Sequence, residues 1–217
     1  MRRPTSHASC TQSIRRSDLS KRSALLFFFL CTLASPLCSN EITVNFEGFA
    51  DGTSITTQYT RLTFSNATIA TSGVSLDEFE FPPKSGANVV FDNGGPITID
   101  FSSAVSSFDA FFTYSVPLTL DAFNSSNTLV TSANSLFSGN ERLSGVPGSS
   151  PNERIQVSSS GGISSVEILG APSGGSFAMD DVTYTTSIPE PSSLILALAG
   201  SAVLIAFRRR IFVMGMS

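Results

Sequence analysis

The strongest constraint on the fold of this chain is a succession of short runs rich in β-branched and aromatic residues, each bounded by turn sequences. The turns include "DNGGP", "SGVPGSSPN" and "APSGG", whose residue types let the backbone reverse its direction. Runs of this length and composition are typical of β-strands, and their periodicity is not helical. We therefore predict nine or so strands, at residues 42–46, 61–64, 88–92, 96–101, 108–115, 117–123, 154–158, 166–169 and 177–185.

Apolar residues at alternate positions give at least two of these strands one face suited to burial. Ile97, Ile99 and Phe101 share one face, and the alternate apolar positions of 118–122 share another. Many short strands in a domain of residues 40–185 favour an all-β, antiparallel β-sandwich, because each sheet then buries one face. Within this class we predict a jelly roll, since the spacing is irregular and the sequence lacks the Cys–Trp–Cys signature of an immunoglobulin domain.

The N-terminal segment has the organisation of a secretory signal peptide. Basic residues between positions 15 and 22 precede an apolar run at 24–33, and small residues then lead to a cut near Ser39. The apolar run is too short to span a membrane. We predict that residues 1–39 are a signal peptide and that the chain is exported.

All three cysteines and the only histidine of the chain lie inside that predicted signal peptide, at Cys10, Cys31, Cys38 and His7. The predicted domain therefore has no disulfide, thiol nucleophile, histidine base or ordinary zinc site. Glycoside hydrolysis by carboxylates is the main chemistry still open to it.

The predicted domain is strongly acidic. Residues 40–187 contain 15 acidic and four basic side chains, a net charge of about −11. This charge repels nucleic acid and anionic lipid and attracts divalent cations. We therefore predict that the domain does not bind nucleic acid.

The C-terminal segment has three consecutive parts. A linker at residues 186–191 ends in Pro189-Glu190-Pro191, and 16 uncharged residues at 192–207 follow. That run is apolar all round and close to the lower limit of about 17 residues for a membrane-spanning helix. Three arginines then begin a basic tail at 208–217, and arginines are retained on the cytoplasmic side. We predict a transmembrane helix at 192–207 and a cytoplasmic tail after it.

This order of parts resembles the PEP-CTERM sorting signal of bacterial exported proteins, with Pro189, Glu190, Pro191, Arg208, Arg209 and Arg210 matching its motif. The resemblance implies that the tail holds the chain in the inner membrane until an exosortase cuts near Pro-Glu-Pro. It also implies an association with exopolysaccharide and a final location at the cell surface or outside the cell. A plain C-terminal anchor that is never cleaved is the alternative.

Two acidic motifs lie near the ends of the domain. "NFEGFADGT" contains Glu47, and "FAMDDVTY" contains adjacent Asp180 and Asp181. Strand alternation places Asp180 on the face of Val182 and Asp181 on the opposite face. A carboxylate in an apolar strand costs several kcal/mol, roughly, without a partner, and a hard cation is one way to offset that cost.

The two motifs resemble those of jelly-roll carbohydrate-binding modules and galactose-binding-like domains, whose first and last strands share a structural calcium. The resemblance implies calcium ligands at Glu47 and Asp180. Three alternatives stay open: surface carboxylates on a solvated edge strand, a glycosidase pair, and a sugar site in which Tyr59 or Tyr114 stacks on the ligand.

From these features we predict an exported, non-enzymatic surface or matrix protein associated with exopolysaccharide. The competing functions are a carbohydrate-binding module with specific glycan affinity and a small, carboxylate-based glycan-active enzyme.

Overall fold

A computed structural model of the chain describes residues 39–186. This part contains ten strands: β1 (Asn40–Val44), β2 (Ser54–Ile55), β3 (Leu62–Ser65), β4 (Ala67–Thr71), β5 (Asn88–Asp92), β6 (Ile97–Tyr114), β7 (Thr119–Phe123), β8 (Leu129–Asn134), β9 (Glu153–Leu169) and β10 (Phe177–Thr186). All strand pairs are antiparallel. The predicted all-β class is confirmed.

The strands form one continuous hydrogen-bonded path in the order β2-β4-β5-β10-β6-β9-β7-β8, with β1 joined to β10 and β3 joined to β6. Strands β6 and β9 are long enough to belong to both layers of a sandwich. The first part of β6 pairs with β3, and its later part pairs with β10. One layer therefore contains β3, β7 and β8, and the other contains β1, β2, β4, β5 and β10. The first and last strands are neighbours, as the jelly-roll prediction requires.

The two long strands correct the predicted strand boundaries. Residues 96–101 and 108–115 were expected to be separate strands, and so were 154–158 and 166–169, but each pair is one strand. The register between β6 and β9 shifts on both sides of Val105. Such β-bulges bend a strand and increase its twist without ending it. The bend lets one strand pass from layer to layer, which explains why its sequence looks interrupted.

The main core lies between the two layers. Ile97, Ile99 and the alternate apolar residues of 118–122 are fully buried there, as their alternation predicts. Phenylalanine supplies much of its volume, and five of its rings are fully buried: Phe46, Phe64, Phe108, Phe112 and Phe177. Burial of one such side chain contributes roughly 1.5–3 kcal/mol. The core is therefore large enough to fix the sandwich without tryptophan.

A second, smaller apolar cluster lies on the outer face of the β4-β5-β10 layer. It consists of Ala70, Val89 and Ala178, with Leu76, Phe81 and Phe91 packed against it. Two of these side chains come from the connection between β4 and β5, residues 72–87, which we call the cover loop. The outer face of this layer is therefore covered where most antiparallel sandwiches expose polar side chains.

The predicted signal peptide at 1–39, transmembrane helix at 192–207 and basic tail at 208–217 lie outside the described residues, apart from Ser39. Within residues 39–186, no helix has the length and apolarity needed to cross a membrane. The last strand ends at Thr186, one residue beyond the predicted domain boundary.

Candidate functional site

The two aspartates of β10 lie at a bulge that changes the face of the strand. The register between β10 and β6 shifts between Asp180 and Thr183, and Asp181 has a left-handed φ of 46°. As a result, Val182 belongs to the same main core as Met179. The predicted phase, with Asp180 and Val182 on one face, was therefore wrong, because an extra residue in the strand resets the alternation.

Asp180 lies on the outer face, beneath the cover loop, and is only 2% exposed. Its Oδ2 accepts hydrogen bonds from the backbone N–H groups of Lys84 and Ser85, both at 2.9 Å. Its Oδ1 accepts a third from the Asp181 N–H at 2.7 Å. Burial raises the pKa of Asp180 to about 6, although these backbone donors favour the charged form. The carboxylate therefore ties the cover loop to β10.

Glu47 contacts the same part of the cover loop from the other side. Its Oε1 accepts hydrogen bonds from the backbone N–H groups of Ala87 and Asn88, both at 2.9 Å. Between the two pairs of donors lies Gly86, with a left-handed φ of 57°, and a Cβ there would collide with the Glu47 carboxylate. Glycine at this position therefore suits the left-handed backbone and lets the Glu47 carboxylate approach closely.

The buried Asn88 side chain connects the cover loop to the turn that contains Glu47. The side chain is 4% exposed, and its Nδ2 donates to the carbonyl oxygens of Phe46 and Phe49 at 3.1 and 3.0 Å. Its Oδ1 accepts from the Thr71 hydroxyl at 2.7 Å. Phe46 itself has a left-handed φ of 61°, unusual for a large side chain. The amide thus holds the turn that presents Glu47.

The structure therefore brings Glu47 and Asp180 to one five-residue segment, Lys84–Asn88. We call Glu47, Asp180 and this segment the carboxylate clamp. In the described part of the chain, Glu47 Oε2 accepts no hydrogen bond and remains open to a cation. No three acidic, histidine or cysteine side chains of residues 39–186 converge on one point, so any ion here would need backbone carbonyls and water. Calcium at Glu47 and Asp180 stays a prediction.

The structure tests two alternatives for these residues: surface carboxylates on an edge strand, and tyrosines that stack on a sugar. Strand β10 has β6 on one side and β5 and β1 on the other, so Asp180 is not a surface carboxylate of a solvated edge strand. Tyr114 is completely buried, and its hydroxyl donates to Glu153, so it offers no platform for a sugar. Tyr59 packs partly buried against the main core.

Two further features of the described residues had no recognisable signal in the sequence. Asp92, at the end of β5, is 0% exposed, and neither of its carboxylate oxygens has a hydrogen-bond partner. Burial raises its pKa, and nearby amides of Ser176 and Gly175 counteract only part of that effect. Nothing in "NVVFD" distinguishes this aspartate from an exposed residue ending a strand.

The second feature is a pocket of about 180 Å³ between the cover loop and the sheet. Its floor contains Ala70 and Ala178, whose small side chains leave the space open. Leu76, Phe81 and Phe91 form apolar walls, and Ser75, Asp77 and Gly175 also line it. The pocket therefore combines aromatic surface with a few polar groups at the rim.

Comparison with solved structures finds β-proteins at low identity. The K2 cleaved adhesin domain of Lys-gingipain is 14% identical over 67% of this chain and 99% of its own, with a TM-score of 0.43. A mutant of a family 29 carbohydrate-binding module is 12% identical over 69% of this chain and 94% of its own, at 0.38. The family 11 module from Clostridium thermocellum, in complex with a mixed-linked tetrasaccharide, is 11% identical over 72% of this chain and 100% of its own, at 0.33. These TM-scores are too low to support any inference about ligands.

Comparison with sequences gives a result for the C-terminal segment alone. No curated protein matches the chain. The family model of the PEP-CTERM protein-sorting motif matches residues 187–210, which include Pro189, Glu190, Pro191 and the three arginines. The structure of these residues lies outside the described part. The chain therefore carries a PEP-CTERM protein-sorting motif directly after its β-sandwich.

Proposed function

We propose that this chain is an exported, non-enzymatic protein that delivers its β-sandwich to a bacterial cell surface or extracellular matrix. The observation that carries the proposal is the position of the sorting motif. It begins at residue 187, and the last strand of the sandwich ends at Thr186. Exosortase cleavage near Pro-Glu-Pro would thus release a folded domain with only a few extra residues.

The proposed partner outside the cell is a glycan of the matrix, in keeping with the association of this sorting signal with exopolysaccharide. A binding role is favoured over catalysis because the carboxylates are poorly placed for chemistry. Both Asp180 oxygens accept backbone N–H groups beneath the cover loop, and Glu47 is bonded to the same loop. A glycosidase needs two carboxyl groups facing a sugar across an accessible cleft.

The sorting part of the proposal is tested by changing the motif. The Glu190→Ala variant, and the double variant Pro189→Ala with Pro191→Ala, should still be exported but should accumulate in the membrane fraction at their uncleaved mass. Ser187→Ala, which changes a residue of the matched segment outside Pro-Glu-Pro and the arginines, is the matched control and should be processed normally. Wild type in an isogenic strain without exosortase should behave like the Glu190→Ala variant. Identical size and location of all these proteins would refute processing by exosortase.

A further inference from the structure

The pocket beneath the cover loop has a composition that fits a single sugar residue. Its walls offer the rings of Phe81 and Phe91, and its rim offers the Ser75 and Asp77 side chains. A pyranose has the complementary surface, since C–H groups cover its two faces and hydroxyl groups surround its edge. The volume of about 180 Å³ is below the roughly 300–1,000 Å³ typical of sites for drug-sized ligands.

The charge around the pocket selects against acidic sugars. Asp77 lines the pocket, and Glu78 and Glu80 follow it in the sequence "DEFEF". Asp51 approaches the same rim through its hydrogen bond with the Ser75 hydroxyl. Carboxylates accept hydrogen bonds from sugar hydroxyls, but they repel the carboxylate of a uronic acid.

The cover loop also carries an exposed aromatic side chain. Phe79 belongs to the cover loop and is 56% exposed, with the Arg142 guanidinium 5.5 Å from its ring centroid. The backbone N–H groups of Arg142 and Leu143 donate to Glu80, which fixes the two loops together. An exposed ring supported in this way can stack on a sugar residue.

The position of the pocket on the domain agrees with a role outside the membrane. Asn40 pairs with Thr186, so the chain enters and leaves the sandwich at one end. The pocket is lined by Ala178, eight residues back along β10, which corresponds to about 25 Å of extended strand. A chain still tethered at residue 187 would therefore hold the pocket away from the tether.

We propose that this pocket binds a terminal sugar residue of a neutral glycan, with Phe79 contacting the adjoining residue. The inference rests on the proposed function, because it names the site and the class of ligand for the glycan role of the domain.

The test uses the protein as its host exports it and measures binding of glucose, galactose, mannose, their β-linked disaccharides and glucuronic acid. At least one neutral sugar should bind, and glucuronic acid should bind at least tenfold more weakly. Ala178→Leu and Ala70→Leu place a larger side chain in the pocket and should abolish binding. Asp77→Asn should weaken it about tenfold, since a charged acceptor becomes a neutral one.

The matched control is Ala104→Leu, the same change at an exposed position of β6, and it should bind like wild type. Melting temperatures of all variants identify any that fail to fold. If both pocket-filling variants fail to fold, Asp77→Asn still tests the inference. If the filled pockets or Asp77→Asn leave sugar binding unchanged, the site is elsewhere and only the glycan role survives. If wild type binds none of the sugars at millimolar concentration, both the pocket and the glycan role are refuted, whereas sorting by exosortase stands.

Discussion

Single side chains with unusual surroundings decide how the cover loop and the sheet fit together. Asp180 is buried but accepts three well-formed hydrogen bonds from backbone N–H groups, whereas neither carboxylate oxygen of buried Asp92 accepts one. A buried carboxylate with donors can stay charged, and one without them is stabilised by protonation. The same residue type therefore strengthens the fold at one place and weakens it at another.

Asp92 should make the stability of the protein decrease at high pH. Because burial raises the folded-state pKa of Asp92, its contribution to stability is complete below its ordinary pKa of 3.8 and is lost as the pH rises through the folded-state value. Asp92→Asn removes this ionisation, so it should raise the melting temperature by about 3 °C at pH 8. That advantage should disappear near pH 4.

The matched control for this prediction is Asp100→Asn, which removes the same charge from an exposed position. It should show no gain that depends on pH in this way. A melting temperature of Asp92→Asn that tracks wild type at every pH would mean that the Asp92 carboxyl is solvated or paired.

Calcium at Glu47 and Asp180 has a separate test. An ion that binds the native state alone stabilises it by about 2.7 kcal/mol at a hundredfold excess over Kd. For a domain of this size, that corresponds to roughly 5–10 °C in melting temperature. We expect EDTA to lower the midpoint, millimolar calcium to restore it, and Asp180→Ala to abolish the response, while the exposed control Asp100→Ala keeps it. If wild type has the same midpoint in EDTA and in calcium, the calcium prediction is refuted. Glu47 and Asp180 would then act only as hydrogen-bond acceptors for backbone N–H groups.

At the scale of elements, the cover loop depends on the fit between Gly86 and Glu47. Gly86→Ala should move the Glu47 side chain and so lose its hydrogen bonds to Ala87 and Asn88, each worth about 1 kcal/mol for an exposed carboxylate. Gly73→Ala is the matched control, because Gly73 also has a positive φ of 75° but open space around its Cβ position. The Gly86→Ala variant should melt at least 5 °C below the Gly73→Ala variant, although the φ of Gly86 is closer to values that alanine tolerates.

A double-mutant cycle separates the collision from backbone strain. In a Glu47→Ala background, Gly86→Ala should cost no more than Gly73→Ala does, because the side chain that it displaces is absent. An undiminished cost would show that the effect of Gly86→Ala comes from its backbone rather than from the clamp.

The elements also show which parts of the fold a sequence can predict. Strands such as 97–101 were predicted correctly, because burial of one face makes large apolar side chains recur at every second residue. Strand β4 (Ala67–Thr71) and strand β8 (Leu129–Asn134) were missed, because small and hydroxylated residues resemble turns. The bulge at Asp180 was missed for another reason: it depends on pairing with β6, which local sequence does not encode. Glu47 and Asp180 were correctly singled out, but their common partner, the segment Lys84–Asn88, carries no acidic or aromatic signal.

At the scale of the whole molecule, the chain termini and the cover loop lie at different places on the sandwich. The first and last strands lie side by side, with Asn40 opposite Thr186, so the described chain enters and leaves the sandwich at one end. The cover loop and the loop between β8 and β9 contact each other through Glu80 and Arg142, and both contribute exposed apolar side chains. The attached end and the proposed binding end are thus separate parts of one structure.

The adjacency of the termini predicts that the domain tolerates circular permutation. A short glycine–serine linker joining Thr186 to Asn40, with new ends opened between Gly145 and Val146, should preserve the sandwich, because those residues lie in a loop outside every strand. Its melting temperature should stay within several degrees of that of residues 39–186 in their natural order. The control opens the chain between Phe108 and Asp109, inside β6, which pairs with both β9 and β10 and should therefore lose cooperative unfolding. Failure of the loop permutant alone, with residues 39–186 folding normally, would show that the first and last strands are not neighbours.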